Sequence, residues 1–199
     1  MATTLTDEIA ATAARLVVEV GMEYGPAKRR AARVLGRHGA RSSELPGNDR
    51  VEDEVRDYLA VFCADTQPGE LAALRAVAAI WMERLAVFRP HLTGAVWRGT
   101  ATRLNDVRLE LYCDDSKAAE LALIDRRVDY DVGSRPGPRG DPVDVLSLAH
   151  TSAELGERVT VHLTVLDFDD LRGGLKPDAG GRSQRGDLAG LRKLMSEPA

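Results

Sequence analysis

The sequence predicts an α+β protein, with a helical region over residues 1–89 and a β-sheet with flanking helices over residues 90–199. Three observations lead there. In the first ninety positions apolar residues recur at spacings of three and four, punctuated by glycine, proline and acids, without strand alternation. From His91 the texture changes to short runs rich in β-branched residues. One further segment of helical spacing lies between the second and third of those runs.

Thr6 is placed to cap a first helix with the apolar face Ile9, Ala13, Leu16, Val17 and Val20, and Gly21 is its stop. Pro26 opens a second helix that runs to Leu35, ended by Gly36 and Gly39. Asn48 caps a third, which carries Val51, Val55, Leu59 and Phe62 on one side. The fourth starts around Pro68 and is the longest. Its positions Leu71, Leu74, Ala78, Trp81, Leu85 and Phe88 form a narrow seam suited to packing along another helix, and Pro90 closes it.

Strand-like runs follow at 92–96, 107–113, 128–132, 143–148 and 159–166. Ser116 caps the intervening helix, whose apolar side is Ala118, Leu121, Ala122 and Leu123. Residues 133–142 hold three glycines and three prolines and read as a loop. Residues 172–186 read as a flexible, basic, glycine-rich loop before a short terminal helix over 187–195.

The composition narrows the function classes. A net charge of −4 argues against a chain coated in positive charge for nonspecific nucleic-acid binding, although a local patch is compatible with it. Cys63 and Cys113 stand far apart and outside any CxxC pair, which points to neither a disulfide framework nor a zinc site and fits reducing cytoplasm. The first twenty residues are amphipathic, with Asp7, Glu8, Arg15 and Glu19, unlike a secretory signal. No run approaches the roughly 20 apolar residues of a membrane span, so no membrane association is expected. GxxxxGK[ST], GxSxG and HExxH motifs are absent, and His38, His91 and His150 have no evident nucleophile near them in sequence.

The most informative stretch is 94–110, GAVWRGTATRLNDVRLE. A glycine turn lets backbone amides approach phosphate, and carboxylates two apart on the next strand share one face, where they can hold divalent metal. The stretch resembles the core motif of nucleotidyltransferases of the DNA polymerase β superfamily, where Gly-Ser, an Arg-Gly loop and Asp-hydrophobic-Asp follow at about this spacing. Gly94, Arg98, Gly99 and Asp106 match. Ala95 stands where the family has a phosphate-binding serine, Trp97 where it has a small residue, and Arg108 where it has its second metal-binding aspartate. A guanidinium about 4 Å from a dication, at an effective dielectric of roughly 20, repels it by roughly 8 kcal/mol. The resemblance therefore implies a nucleotidyltransferase-like mixed sheet over roughly 70–170 with a degenerate metal site. A plain acid-base-acid ladder of Asp106, Arg108 and Glu110 on one strand face is the alternative.

The family takes a third carboxylate from a later strand, and two registers are open. In the first, Val161-His162-Leu163 supplies that position, followed by Asp169-Asp170-Leu171-Arg172, so that His162 replaces the acid. In the second, Val143-Asp144-Val145 neighbours the Asp106 strand, and one metal between Asp106 and Asp144 is retained.

The resemblance thus implies phosphate or nucleotide contacts from Gly94, Ala95, Arg98, Gly99, Arg108 and His162. Catalysis through Asp106 and Asp144, with Mg²⁺, is expected only if transfer activity survives. Arg29, Arg33 and Arg37 make a stripe for RNA or a partner protein if their helix continues past Gly36, and the 172–186 loop offers a second basic surface. The acid-rich following helix, with Asp49, Glu52, Asp53, Glu54 and Asp57, suggests an internal charge match instead. The functional expectation is a nucleotide-, RNA- or protein-binding module with lost or weakened transfer activity. The alternatives are an active nucleotidyltransferase acting on a protein, RNA or small-molecule hydroxyl, and a helical interaction protein using the 71–88 seam.

Overall fold

The computed structural model describes residues 4–39, 41, 44–174 and 181–196, and its architecture is mixed α+β. The chain divides into two compact units. One comprises Met1–Gly69 with Thr100–Leu104, and the other Glu70–Gly99 with Asn105–Ala199. The division falls within the first turn of the fourth helix, not at residue 89.

The helical unit contains α1 (Leu5–Val20), α2 (Tyr24–Val34) and α3 (Asn48–Phe62). Thr4, not Thr6, caps α1: its hydroxyl accepts from the Asp7 N–H while the Asp7 carboxylate accepts from the Thr4 N–H. Gly21 ends the helix in the left-handed conformation, as expected. Ile9, Ala13 and Val17 join Ala27, Ala31, Val51, Val55 and Leu59 in one buried cluster. The many alanines in it let helix backbones approach closely, and each apolar side chain adds its share of burial energy.

Helix α2 stops at Val34, and Gly36 follows with φ 79°, so Arg37 lies beyond the helix and does not extend a stripe from Arg29 and Arg33. The charge match expected between the basic run and α3 is seen at Lys28, on which the Asp49 charge acts. Glu54 pairs with Arg50 and Glu52 with Arg56, both within α3, while Arg50 also reaches Asp7.

In the second unit a six-stranded sheet runs in the order β3-β4-β5-β2-β1-β6. The strands are β1 (His91–Thr93), β2 (Val107–Tyr112), β3 (Tyr130–Pro136), β4 (Pro142–Ser152), β5 (Glu157–Leu166) and β6 (Arg185–Gly186). Only β2 and β5 are parallel neighbours. Helices α4 (Gln67–Arg84), α5 (Gly94–Arg98), α6 (Ser116–Asp125), α7 (Asp170–Gly174) and α8 (Leu188–Ser196) accompany them.

Strand alternation separates the two sheet faces. Val107, Leu109 and Leu111 on β2, Val161, Leu163 and Val165 on β5, and Leu146 and Leu148 on β4 are all buried on one face. Trp81 of α4 lies edge-on to His150, which continues that face of β4, and α6 packs against β5. Arg126 Nη2 donates to the Arg84 carbonyl, tying α6 to α4. Leu74, Ala78, Trp81, Leu85 and Phe88 are buried within this chain and Leu71 is half-buried, which counts against the seam as a partner surface.

Two strand expectations change. The run at 92–96 ends at Thr93, because Gly94 has φ 73° and turns the chain into α5. The expected 133–142 loop shrinks to 137–141, since β3 continues through Gly133 and Pro136. The edge tolerates Pro136, whose nitrogen faces outward and has no ladder partner to lose. Among the described residues no helix is long and apolar enough to cross a membrane.

Candidate functional site

The second sheet face is polar and partly open. Arg108, Glu110 and Tyr112 of β2 alternate onto it with His162 and Thr164 of β5 and Val145 and Ser147 of β4. Arg108 is in direct register with His162, and His162 with Ser147. The first of the two sequence registers is therefore the one adopted. Strand β4 is separated from β2 by β5, roughly 10 Å away across two strand spacings. Asp144 also alternates with Leu146 and Leu148 onto the opposite, helix-covered face, where it meets Lys117 of α6 at 3.9 Å. A site formed by Asp106 with Asp144 is thereby excluded as a correction to the second register.

Asp106 precedes β2 and points onto the open face, where its Oδ2 lies 3.2 Å from His162 Nε2. The hydrogen bond from His162 is the main cause holding the Asp106 carboxyl below the ordinary carboxylate range; the charges of His162 and Arg108 assist, and burial opposes. An ionised carboxylate only accepts, so His162 Nε2 carries the hydrogen. Nδ1 lies 2.8 Å from the Ser147 hydroxyl, which donates to it when the ring is neutral and accepts from it when the ring carries the charge that acts on Asp106. The result is a linear chain, Ser147 to His162 to Asp106.

That chain resembles a nucleophile with its base, yet Ser147 sits in mid-strand. The backbone around it is engaged by β3 on one side and β5 on the other, which leaves no amide pair for an oxyanion. Its role is to fix the ring of His162.

Because the Asp106 carboxyl is depressed, its contribution to stability is present above the unfolded-state pKa and is lost as pH falls through the lower folded value. We expect the carboxyl carbon of Asp106 to titrate below a model aspartate by NMR, and to move upward in His162→Ala. An unchanged midpoint in that variant would show that His162 is not the cause.

Arg108 extends across the turn that precedes α5: its Cδ stands 3.6 Å from where a Cβ of Gly94 would be. The turn and the arginine thus come together as the sequence suggested. Gly94 to Arg98 form only a five-residue helix, and Gly99 ends it in the left-handed conformation facing Arg75 of α4. Gly99 consequently lies away from the open face.

A shallow concavity of about 280 Å³ lies on the open face, lined chiefly by Arg108, His162, Ser147, Thr164 and Arg135. No carboxylate is among its lining residues. Two guanidinium groups, a hydroxyl and a ring make an anion-favouring surface. Magnesium fits poorly here, because it needs several oxygen ligands, whereas Asp106 is engaged by His162 and neighbours Arg108. Among the described residues no three His, Cys, Asp or Glu side chains converge as a metal site requires.

Beside this concavity the sequence reading missed a second cluster. Glu110 accepts from Tyr112 Oη at 2.7 Å and from Arg185 Nη1, and Arg185 Nη1 also contacts Tyr112 Oη at 3.1 Å. Burial, reinforced by the Glu110 charge, pushes the Tyr112 hydroxyl far above its usual range, so it remains a donor. Arg185 belongs to the expected basic loop, but it is on β6, paired with β1 and neutralised. The remainder of that loop at 175–180 lies outside the described residues. The acid-base-acid ladder of β2 is thus resolved into two occupied acids, Asp106 and Glu110, with Arg108 between them. Comparison with protein-family models, with curated proteins and with solved structures gives no match.

Proposed function

We propose that this protein is a nucleotidyltransferase-like module that binds a nucleotide or related phosphate on the open sheet face, without metal-dependent transfer. The observation that carries this reading is the register of Arg108 with His162 on the parallel pair β2 and β5, with Asp106 committed to His162. Two positions where the resembled family places metal-binding acids hold a guanidinium and an imidazole here. The charge of the site is therefore suited to an anion directly, with no dication between protein and phosphate.

The test is titration of ATP, GTP, CTP and UTP into the full chain, with and without magnesium. Binding is expected to be no stronger with the metal than without it. Arg108→Ala is expected to weaken it by about tenfold to a hundredfold, the worth of one charge-assisted hydrogen-bonding group. Label transfer to a protein, RNA or small molecule that disappears in Asp106→Ala would overturn the reading, as would failure of all four nucleotides to bind.

A further inference from the structure

Strand β3 is the outer edge of the sheet, and every residue from Asp131 to Pro136 is exposed. Its free backbone groups can be assigned. Gly137 N–H donates to the Asp141 carbonyl at 2.8 Å, continuing the register in which Pro136 faces Pro142. Antiparallel pairs alternate between bonded and non-bonded. Asp131, Gly133 and Arg135 therefore direct their N–H and C=O groups toward β4, while Tyr130, Val132 and Ser134 direct theirs outward.

Two opposite charges stand on this edge. Asp131 and Arg135 project from the same sheet face but are about 13 Å apart along the strand, too far to pair with each other. Neither has an ion-pair partner among the described residues. On the other face Val132 is 57% exposed, and Leu121 and Ile124 of α6 are 55% and 53% exposed. Lys117 and Glu120 of α6 reach Asp144 and Tyr130, which sets that side of the helix toward β3. Leu121 and Ile124 share that side at helical spacing.

We propose that β3 pairs antiparallel with β3 of a second copy of this chain, about a two-fold axis through Gly133. In that register Val132 faces Ser134 of the second copy, so the outward N–H and C=O groups bond to each other. Asp131 faces Arg135 of the second copy in a non-bonded pair, where side chains come closest, and the symmetry forms this ion pair twice. A register shifted by two residues one way sets both charges opposite glycines; shifted the other way it leaves Asp131 opposite Gly133 and offers Arg135 only Asp129, which precedes the strand. Val132, Leu121 and Ile124 of the two copies then cover one another. An edge strand exposed in this way is a template for pairing, and its charges here are self-complementary where edges kept apart carry like charges.

The test is sedimentation equilibrium of the full chain from about 1 to about 300 μM. Wild type is expected to approach twice the monomer mass. Asp131→Arg and Arg135→Asp, each creating two like-charge contacts, are expected to weaken association by roughly tenfold or more. The double variant restores the pairs with reversed sign and should regain wild-type association. Leu121→Lys, outside the strand, should also weaken it. A monomer at every concentration, a dimer unmoved by the single reversals, or a double variant no better than the singles would overturn the proposal. Because the readout is mass, the result is independent of whether the neighbouring concavity binds an anion.

Discussion

Glu110→Gln is expected to lower the unfolding free energy by about 3 kcal/mol. The substitution keeps the shape of the side chain and removes its charge. Arg185, 24% exposed at its side chain, then stays packed beside Tyr112 without a counter-charge, and Glu110 itself is 12% exposed in the native pair. Desolvating a cation that has lost its partner is the costly step; the ion pair's own net worth is small. Two comparisons separate these effects. Arg185→Met strands the Glu110 carboxylate and should cost a similar amount. The double variant Glu110→Gln with Arg185→Met removes both charges and should be less destabilised than the sum of the singles by at least about 1.5 kcal/mol. Urea denaturation measures all three. A Glu110→Gln loss under about 0.5 kcal/mol would mean that solvent reaches Arg185 freely.

The parts of this fold legible in the sequence are those whose information is local. Strands β2 and β5 carry alternating apolar residues with β-branched character, and both lie within two residues of where the pattern puts them. In the first unit the stop at Gly21 falls where capping chemistry puts it, but the starts shift: α2 begins at Tyr24, ahead of Pro26, and Gly47 rather than Asn48 precedes α3, neither with a side-chain cap bond. Thr4 captured the first cap because Asp7, three residues later, completes a reciprocal pair that Thr6 does not have.

What was not legible is non-local. Both His162 and Asp144 lie in runs of the same alternation, so composition could not choose between them. The choice was made by the β3-β4-β5 meander, which places β5 between β4 and the strand that follows Asp106 and turns Asp144 to the other face. The Glu110–Arg185 pair joins residues 75 positions apart, and nothing near Arg185 distinguishes it from Arg182 in the same glycine-rich tract. Ser147 was invisible for the same reason. Its role depends entirely on the cross-strand neighbour that β4 finds on β5.

Trp97 explains why a two-residue strand at the end of a glycine-rich tract is held at all. Its Nε1 donates to the Ser183 carbonyl at 2.9 Å, and its six-membered ring rests on Gly186, where a built Cβ would fall inside the ring. The ring also lies 3.0 Å from where a Cβ of Gly190 would be. The large residue at this position of α5 and the glycines of β6 and α8 are thus one packing unit, and it delivers Arg185 to Glu110. Gly186→Val is expected to open β6 locally, at a cost of about 2–3 kcal/mol in overpacking. The sheet core built on β2, β4 and β5 lies elsewhere and should stay folded. The observable is trypsin cleavage at Arg185 under native conditions, which should rise by about a hundredfold if cleavage follows the open population. Trp97→Ala in the Gly186→Val background removes the collision and should recover part of the protection, limited by the lost Ser183 bond. If Gly186→Val leaves cleavage unchanged, the Trp97 ring is not what fixes β6, and the placement of Arg185 must come from its pairing with β1 alone.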